Sequence, residues 1–324
     1  MIKLSVVVCT YNREDVLLKC LDVLAGQIVG RDDCELVIIN NNSTDKTHQI
    51  VEQFIANHDR AFLFLEEKQG LSNARNRGGT VAKGEYVAFI DDDTMVDPGW
   101  LNLAMEIVDE HKPDIFGGPV YPILNGTEPA WFKQEYGIRG DMGETGWIRK
   151  GYIVGTNFFI RRELLNAYGG FNPELGMKGD MIGYHEETEI VKRAFRESRK
   201  VFFSRELIVR DILPEYKFSI LFYMVENFTI GYQGVGILES KIDVVDIAQV
   251  IAGITSLFNS INASLRISNS TPETYMMDNL LPEIARLGRR VRLWEKQLQG
   301  IPAEQKRSSF GLKSLMRLLK KISE

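Results

Sequence analysis

The first 120 residues alternate short apolar runs with amphipathic segments, and this rhythm restricts the fold more than anything else in the chain. Apolar runs fall at residues 4–9, 35–39, 61–65 and 86–90. They are short and do not alternate apolar with polar, so they read as strands buried on both faces. Between them, 13–25, 44–57 and 72–82 read as helices. Such alternation implies right-handed crossovers and an α/β, doubly wound, mostly parallel sheet with helices on both faces. Further on, 151–161 reads as a strand, 162–168 as a short helix and 186–198 as an amphipathic helix with Ile190, Val191 and Ala194 on one side. Two more strands are expected at 201–203 and 207–209, and the pattern turns mostly helical from Tyr216. A soft boundary near 214 therefore divides an α/β domain, 1–214, from a helical region, 215–324.

Asp91, Asp92 and Asp93 stand at the end of the fourth apolar run. Three consecutive carboxylates repel one another, and a hard divalent cation with oxygen ligands relieves them. In a parallel sheet, ligands bind beyond the carboxyl ends of the strands, which is where the triplet falls. Read alone it is equally a solvated acidic turn before a helix starting at Asp97 and Pro98. Three other strand ends share its edge. Thr10, Tyr11, Asn12 and Arg13 follow the first strand, Asn40 to Asp45 the second, and Gln69 to Asn76 the third. Asn12, Ser43 and Ser72 are each good helix caps, and the asparagine run is a good turn. Their convergence on one edge suits a nucleotide. Neither G-x-G-x-x-G nor a Walker A motif is present, so a dinucleotide or P-loop reading fails.

Composition narrows the class without naming it. The chain has 324 residues, 26% of them charged, and a net charge of -5, which speaks against a nucleic-acid partner. Cys9, Cys20 and Cys34 have no paired spacing, so a disulfide scaffold is not expected and a reducing, cytoplasmic setting is. The first residues lead straight into a strand and do not read as a signal peptide. The glycosylation patterns at Asn125 and Asn227 are accordingly read as chance.

These motifs together resemble an inverting glycosyltransferase of family 2 with the GT-A fold, over roughly residues 3 to 215. The resemblance is carried by Ser5 to Arg13, Val37 to Asp45, Gly70 to Asn76 and the aspartate triplet. Gly155, Thr156 and Asn157, Gly169 to Phe171, and His185 to Glu189 add to it. It implies a nucleoside diphosphate sugar donor, with a UDP-sugar expected, and Mn²⁺ or Mg²⁺ to neutralise the departing diphosphate. By the same resemblance, residues 1–120 are the nucleotide-binding half and 121–214 the acceptor-binding half. Asp93 is the first choice of metal ligand, with Asp91 and Asp211 as further candidates. Asp91 is also assigned to the ribose or base, with Asp92 beside it. Thr10, Tyr11, Asn12, Arg13, Asn40, Asn41, Gly70, Leu71, Asn73 and Arg75 complete the nucleotide-sugar set, with Tyr11 and Asn41 lining the base pocket. For Arg75 a surface salt bridge is the competing role. Inversion needs a base to take the acceptor proton. Glu187 aligns with the family's carboxylate, and Glu186 is the alternative. An acidic helix N-terminus would favour both without catalysis. Glu replaces the family's usual Asp there, and Asp211 falls where relatives often carry His. Trp147, Gly155, Thr156, Asn157 and His185 are assigned to the acceptor, with Trp131 and Tyr152 as further stacking candidates.

The reading is therefore a metal-dependent inverting transferase acting on a surface glycan or glycolipid. A sugar nucleotidyltransferase is the rival enzyme, although it usually opens with a Gly-rich loop where this chain has Thr10 to Arg13. A non-catalytic glycan-binding protein is the other rival. Residues 244–265 are apolar but carry Asp246, Gln249, Asn259 and Asn262, which disfavours a spanning helix. Residues 283–297 read as an amphipathic helix bearing Arg286, Arg289, Arg290 and Arg292. From Lys306 to Lys321 there are six basic residues and no acidic one. Leu312, Leu315, Met316, Leu318, Leu319 and Ile322 share one helical face there, and Lys313, Arg317, Lys320 and Lys321 the other. Such a helix over 306–322 suits peripheral contact with an anionic membrane at the cytoplasmic face, or docking on a second subunit in a homo-oligomer.

Overall fold

A computed structural model describes residues 1–124, 128–179, 181–234, 237, 252–256 and 271–299. The chain divides into two compact units. The first is Met1–Gly126 with Gln134–Leu213, and the second is Thr127–Lys133 with Pro214–Glu324.

The first unit is built on an eight-stranded sheet. Strands β1 (Leu4–Thr10), β2 (Cys34–Asn40), β3 (Ala61–Leu65) and β4 (Tyr86–Asp91) form a parallel block in the order β3-β2-β1-β4. Four strands extend it beyond β4: β9 (Asn157–Arg161), β6 (Ile115–Gly117), β10 (Val201–Phe203) and β8 (Gly146–Ile148). Of these β9 runs antiparallel to both of its neighbours, and β8 runs antiparallel to β10. The mostly parallel sheet expected from the sequence is what forms. Period-two alternation splits the apolar strands between two cores. Val6 and Val8 of β1 point to one, and Val7 points to the other. Helices α1 (Leu17–Ile28), α2 (Thr47–Ile55) and α4 (Trp100–His111) cover the first core. Helices α3 (Leu71–Val81), α5 (Arg162–Tyr168) and α6 (Glu186–Arg196) cover the second. Ile190, Val191 and Ala194 are the buried apolar face of α6, as its spacing predicts.

A second sheet of three short strands joins β5 (Thr94–Val96), β11 (Val209–Ile212) and β7 (Val120–Ile123) in the order β5-β11-β7. It changes several expectations. After the aspartate triplet the chain enters β5, and α4 starts only at Trp100. The strand expected at 207–209 begins at Val209, where it meets Val120 of β7. The strand expected over 151–161 is confined to Asn157–Arg161, because pairing with β4 starts at Asn157 opposite Ile90. Helix α1 starts at Leu17, since Arg13 closes a turn by accepting the amides of Val16 and Leu17.

In the second unit, α7 (Ile220–Gln233) packs on α8 (Leu281–Gln299), which contains the amphipathic helix expected over 283–297. The backbones approach closely at two glycines. A Cβ on Gly231 would stand 1.7 Å from the Ala285 carbonyl oxygen, and one on Gly288 would stand 2.1 Å from that of Phe228. The apolar segment expected over 244–265 lies outside the described residues except at 252–256, which are helical. The basic helix expected over 306–322 lies wholly outside them. Among the described residues no helix is long and apolar enough to cross a membrane.

Candidate active site

The parallel block delivers four loops to one edge. Thr10 pairs with Asn40, Asn40 with Leu65, and Cys9 with Asp91, so β1 to β4 end level. The first two loops are stitched together. Asn12 adopts a left-handed corner at φ 51°. Its amide donates to Ser43 Oγ at 3.0 Å, and its Oδ1 accepts the Thr44 amide at 2.8 Å. The Arg13 amide donates to Thr47 Oγ1 at 2.8 Å. Asn40 Oδ1 accepts the Ser43 amide at 2.9 Å. Asn41 Nδ2 donates to the carbonyls of Glu66 and Lys68, and its Oδ1 accepts the Gly70 amide. The side chains of Asn12, Asn40 and Asn41, expected at the nucleotide, bond to the loops themselves. Asn73 Nδ2 similarly closes onto the Gln69 carbonyl.

Arg75, on α3, is the centre of the arrangement and is 2% exposed. Its Nη1 donates to Glu186 Oε1 at 2.7 Å, and its Nη2 donates to Asp91 Oδ1 at 3.0 Å. The surface salt bridge weighed for Arg75 is therefore a buried one. Phe89 and Phe171 back the guanidinium, their ring centres 5.9 and 5.7 Å away. Gly155 makes room in front, since a Cβ there would stand 2.8 Å from Nη1. Thr156 Oγ1 donates to Asp91 Oδ2, so both Asp91 oxygens are engaged. Burial pushes the Asp91 carboxyl up, but Arg75 and Thr156 outweigh it and hold the pKa below the usual value. Burial opposes the charge on Arg75, yet Glu186 and Asp91 hold it firmly protonated.

Asp92 and Asp93 point elsewhere. Arg13 Nε stands 3.4 Å from Asp92 Oδ1, and Arg13 Nη2 stands 3.7 Å from Asp93 Oδ2. Burial, then the charge on Asp93, pushes the Asp92 carboxyl up to about 7. Asp211 lies on β11 opposite Thr94, next to the residue whose amide donates to the Asp93 carbonyl at 3.4 Å. Asp211 Oδ2 pairs with Arg139 Nη2 at 2.7 Å. Arg139 went unassigned from sequence. It sits in a Gly-rich stretch without periodicity, and nothing in its spacing points to Asp211. Among the described residues no three His, Cys, Asp or Glu side chains form a cage for a cation.

Helix α6 presents the acidic pair. His185 caps it in a left-handed conformation, φ 77°, and is itself buried. Glu186, 5% exposed, turns inward to Arg75. Burial, then Glu187, pushes its carboxyl up to about 8, against the pull of Arg75. Glu187 is less buried and accepts from Thr188 Oγ1 at 2.9 Å. The chain before α6 is strapped to the start of α3. Ser72 Oγ donates to the Leu175 carbonyl, and the Leu71 amide to that of Met177. A Cβ on Gly176 would stand 3.1 Å from Glu186 Oε2, so this strap also lies against Glu186.

Two residues assigned to the acceptor are placed otherwise. Trp147 lies on β8, four strands from β4 in the sheet order, against Phe202 and His111. Its ring packs at the sheet edge and stays half exposed there. Asn157 is fully buried, accepting from Trp100 Nε1 at 3.1 Å and donating to the Leu207 carbonyl at 2.6 Å. Gly155 and Thr156, by contrast, do lie at the cluster, through Arg75 and Asp91.

An aspartate triplet at the end of a parallel strand thus lies one buried arginine away from an acidic helix start. The chain belongs to glycosyl transferase family 2, whose profile matches residues 5–169, and it is a glycosyltransferase of GT-A fold. The glucosyl-dolichyl phosphate glucuronosyltransferase of Haloferax volcanii is 26% identical over 241 residues, covering 71% of this chain and 75% of the relative. The GalNAc(5)-diNAcBac-PP-undecaprenol beta-1,3-glucosyltransferase of Campylobacter jejuni is 35% identical over 203 residues, covering 60% and 63%. Among solved structures, S. aureus TarS 1-349 in complex with UDP-GlcNAc superposes with a TM-score of 0.56 at 18% identity, covering 93% of each chain. The mannosyltransferase PcManGT of Pyrobaculum calidifontis, in complex with GDP-Man and Mn²⁺, gives 0.55 at 14% identity, covering 99% and 79%.

Proposed function

We propose that the chain moves a sugar, with inversion, from a nucleoside diphosphate sugar to a hydroxyl of a lipid-linked glycan. The observation that carries this reading is the Arg75 bridge. One guanidinium spans Asp91 of the donor edge and Glu186 of the acidic pair, so the two halves of a displacement site stand one side chain apart. A UDP-sugar is the proposed donor and a polyprenyl-type glycolipid the proposed acceptor, in keeping with the names of the Campylobacter and TarS relatives. Membrane contact through 306–322 at the cytoplasmic face belongs to the same proposal, as does the division of the first unit into donor and acceptor halves.

The residues fit a divalent cation. Asp92 and Asp93 are neighbours in the chain, and burial, then the charge on Asp93, lifts Asp92 to about 7, a cost that a bound cation would relieve. Such cations take one or two carboxylates and complete their shell with phosphate and water, so no protein cage is required. Asp93 is the proposed ligand, because both Asp91 oxygens are engaged by Arg75 and Thr156, and one Asp211 oxygen is held by Arg139. When bound, the cation neutralises charge growing on the departing diphosphate.

Glu187 is the proposed base. Arg75 binds Glu186 and leaves its neighbour, less buried at the same helix start, to take the acceptor proton as the acceptor oxygen bonds to the anomeric carbon. The bond from that carbon to the diphosphate oxygen breaks in the same displacement. Arg75 fixes Glu186 against the donor edge, Gly155 leaves room for its guanidinium, and the chain at Gly176 lies against Glu186. The reading is tested by a hydrolysis and thermal-shift screen of nucleotide sugars with Mn²⁺ or Mg²⁺. A nucleotide sugar that both stabilises and turns over supports it. Stabilisation by none of them overturns it.

A further inference from the structure

Three arginines serve the carboxylates of this edge, and they are not held alike. Arg75 is buried and reaches its partners at 2.7 and 3.0 Å. Arg139 reaches Asp211 at 2.7 Å. Arg13 stands off Asp92 and Asp93 at 3.4 and 3.7 Å, with 41% of its side chain exposed. Its backbone, however, is fixed. The Arg13 amide is bonded to Thr47, and Asn12 before it is stitched to Ser43 and Thr44. A side chain that is 41% exposed and rooted in a bonded backbone can change its partners by rotamer change.

We propose that Arg13 is a placeholder cation: its guanidinium occupies the Asp92 and Asp93 carboxylates of the cation-free protein, and an incoming divalent cation displaces it. The inference rests on the reading of the triplet as a cation site. Its physical basis is competition. Guanidinium and metal ion neutralise the same two carboxylates, and an exposed, long ion pair is the weak competitor. The displaced side chain stays anchored at the edge where a diphosphate would arrive, and its fork of donors matches phosphate oxygens.

The experiment is Mn²⁺ binding to the full chain, followed by electron paramagnetic resonance without nucleotide. Arg13→Gln is expected to bind Mn²⁺ about threefold to fivefold more tightly than the parent, the ratio that one exposed ion pair represents. Arg13→Lys, which keeps the charge, is expected to stay close to the parent. Unchanged or weaker binding in Arg13→Gln overturns the proposal, and so does equal tightening in Arg13→Lys. Asp93→Asn tests the underlying reading separately. If it binds Mn²⁺ like the parent, the triplet is not the cation site whatever Arg13 does. Should Arg13→Gln fail to fold, the unmodified protein still decides. Mn²⁺ should speed phenylglyoxal modification of Arg13, followed by peptide mass spectrometry, and an unchanged rate refutes displacement.

Discussion

Arg75 Nη1 lies 2.7 Å from Glu186 Oε1, in a contact between α3 and α6 that is closed to solvent. The two residues are 111 positions apart. A buried pair of this kind is expensive to break on one side and much cheaper to replace on both. Arg75→Met should lower unfolding free energy by about 3–5 kcal/mol. Arg75→Met combined with Glu186→Met should recover part of that loss. Urea unfolding of the two variants checks it. A double variant less stable than the single one would contradict the pairing.

The same carboxyl gives a pH dependence. Glu186 is raised to about 8 in the folded protein, and an unfolded Glu titrates at about 4.3. The folded state therefore holds the proton more tightly. Stability from this group is complete below the unfolded value and is lost as pH rises through about 8. The thermal midpoint of the parent should fall relative to Glu186→Gln between about pH 4.3 and 8. Parallel curves for the two proteins would count against it.

Glu187→Gln keeps the shape of the side chain and removes its basicity. Turnover should fall by about 10²–10⁴-fold. Nucleotide affinity, measured by calorimetry with UDP and Mn²⁺, should stay within about threefold, because a general base contributes to turnover and not to nucleotide binding. Loss of nucleotide binding with turnover kept would place Glu187 on the donor side instead.

In the second unit the close crossing of α7 and α8 tolerates no side chain at its glycines. Gly288→Val should destabilise the protein by about 1–3 kcal/mol through overpacking against the Phe228 carbonyl. A thermal melt unchanged from the parent would show that the helices part without cost.

The four strands of the parallel block could be read from the sequence because burial on both faces leaves a continuous apolar run, which β2 shows along its whole length. The short strands β5, β6, β7 and β8 could not. Each is three or four residues long and is fixed by partners distant in the chain, as β5 is by β11. At the site, residue type indicated chemistry but not direction. Asn41 has the composition of a base-pocket residue, yet the neighbouring loop supplies partners for its whole amide. Trp147 has the composition of a sugar platform, yet sheet order carries it to the far edge. Arg75 was a candidate from its motif. Only the fold shows that it joins two carboxylates rather than facing solvent.

The aspartate triplet carries the chain from one sheet to the other: Asp91 closes β4 in the large sheet, and Asp93 precedes β5 in the small one. Cys9 fixes the register on one side, and β11 fixes it on the other. The span from Asp91 to Thr94 therefore has no slack. One residue inserted or deleted there would slip a ladder by one place and turn every later side chain in it to the opposite face. In descent, this stretch should accept exchanges of residue type far more readily than any change of length.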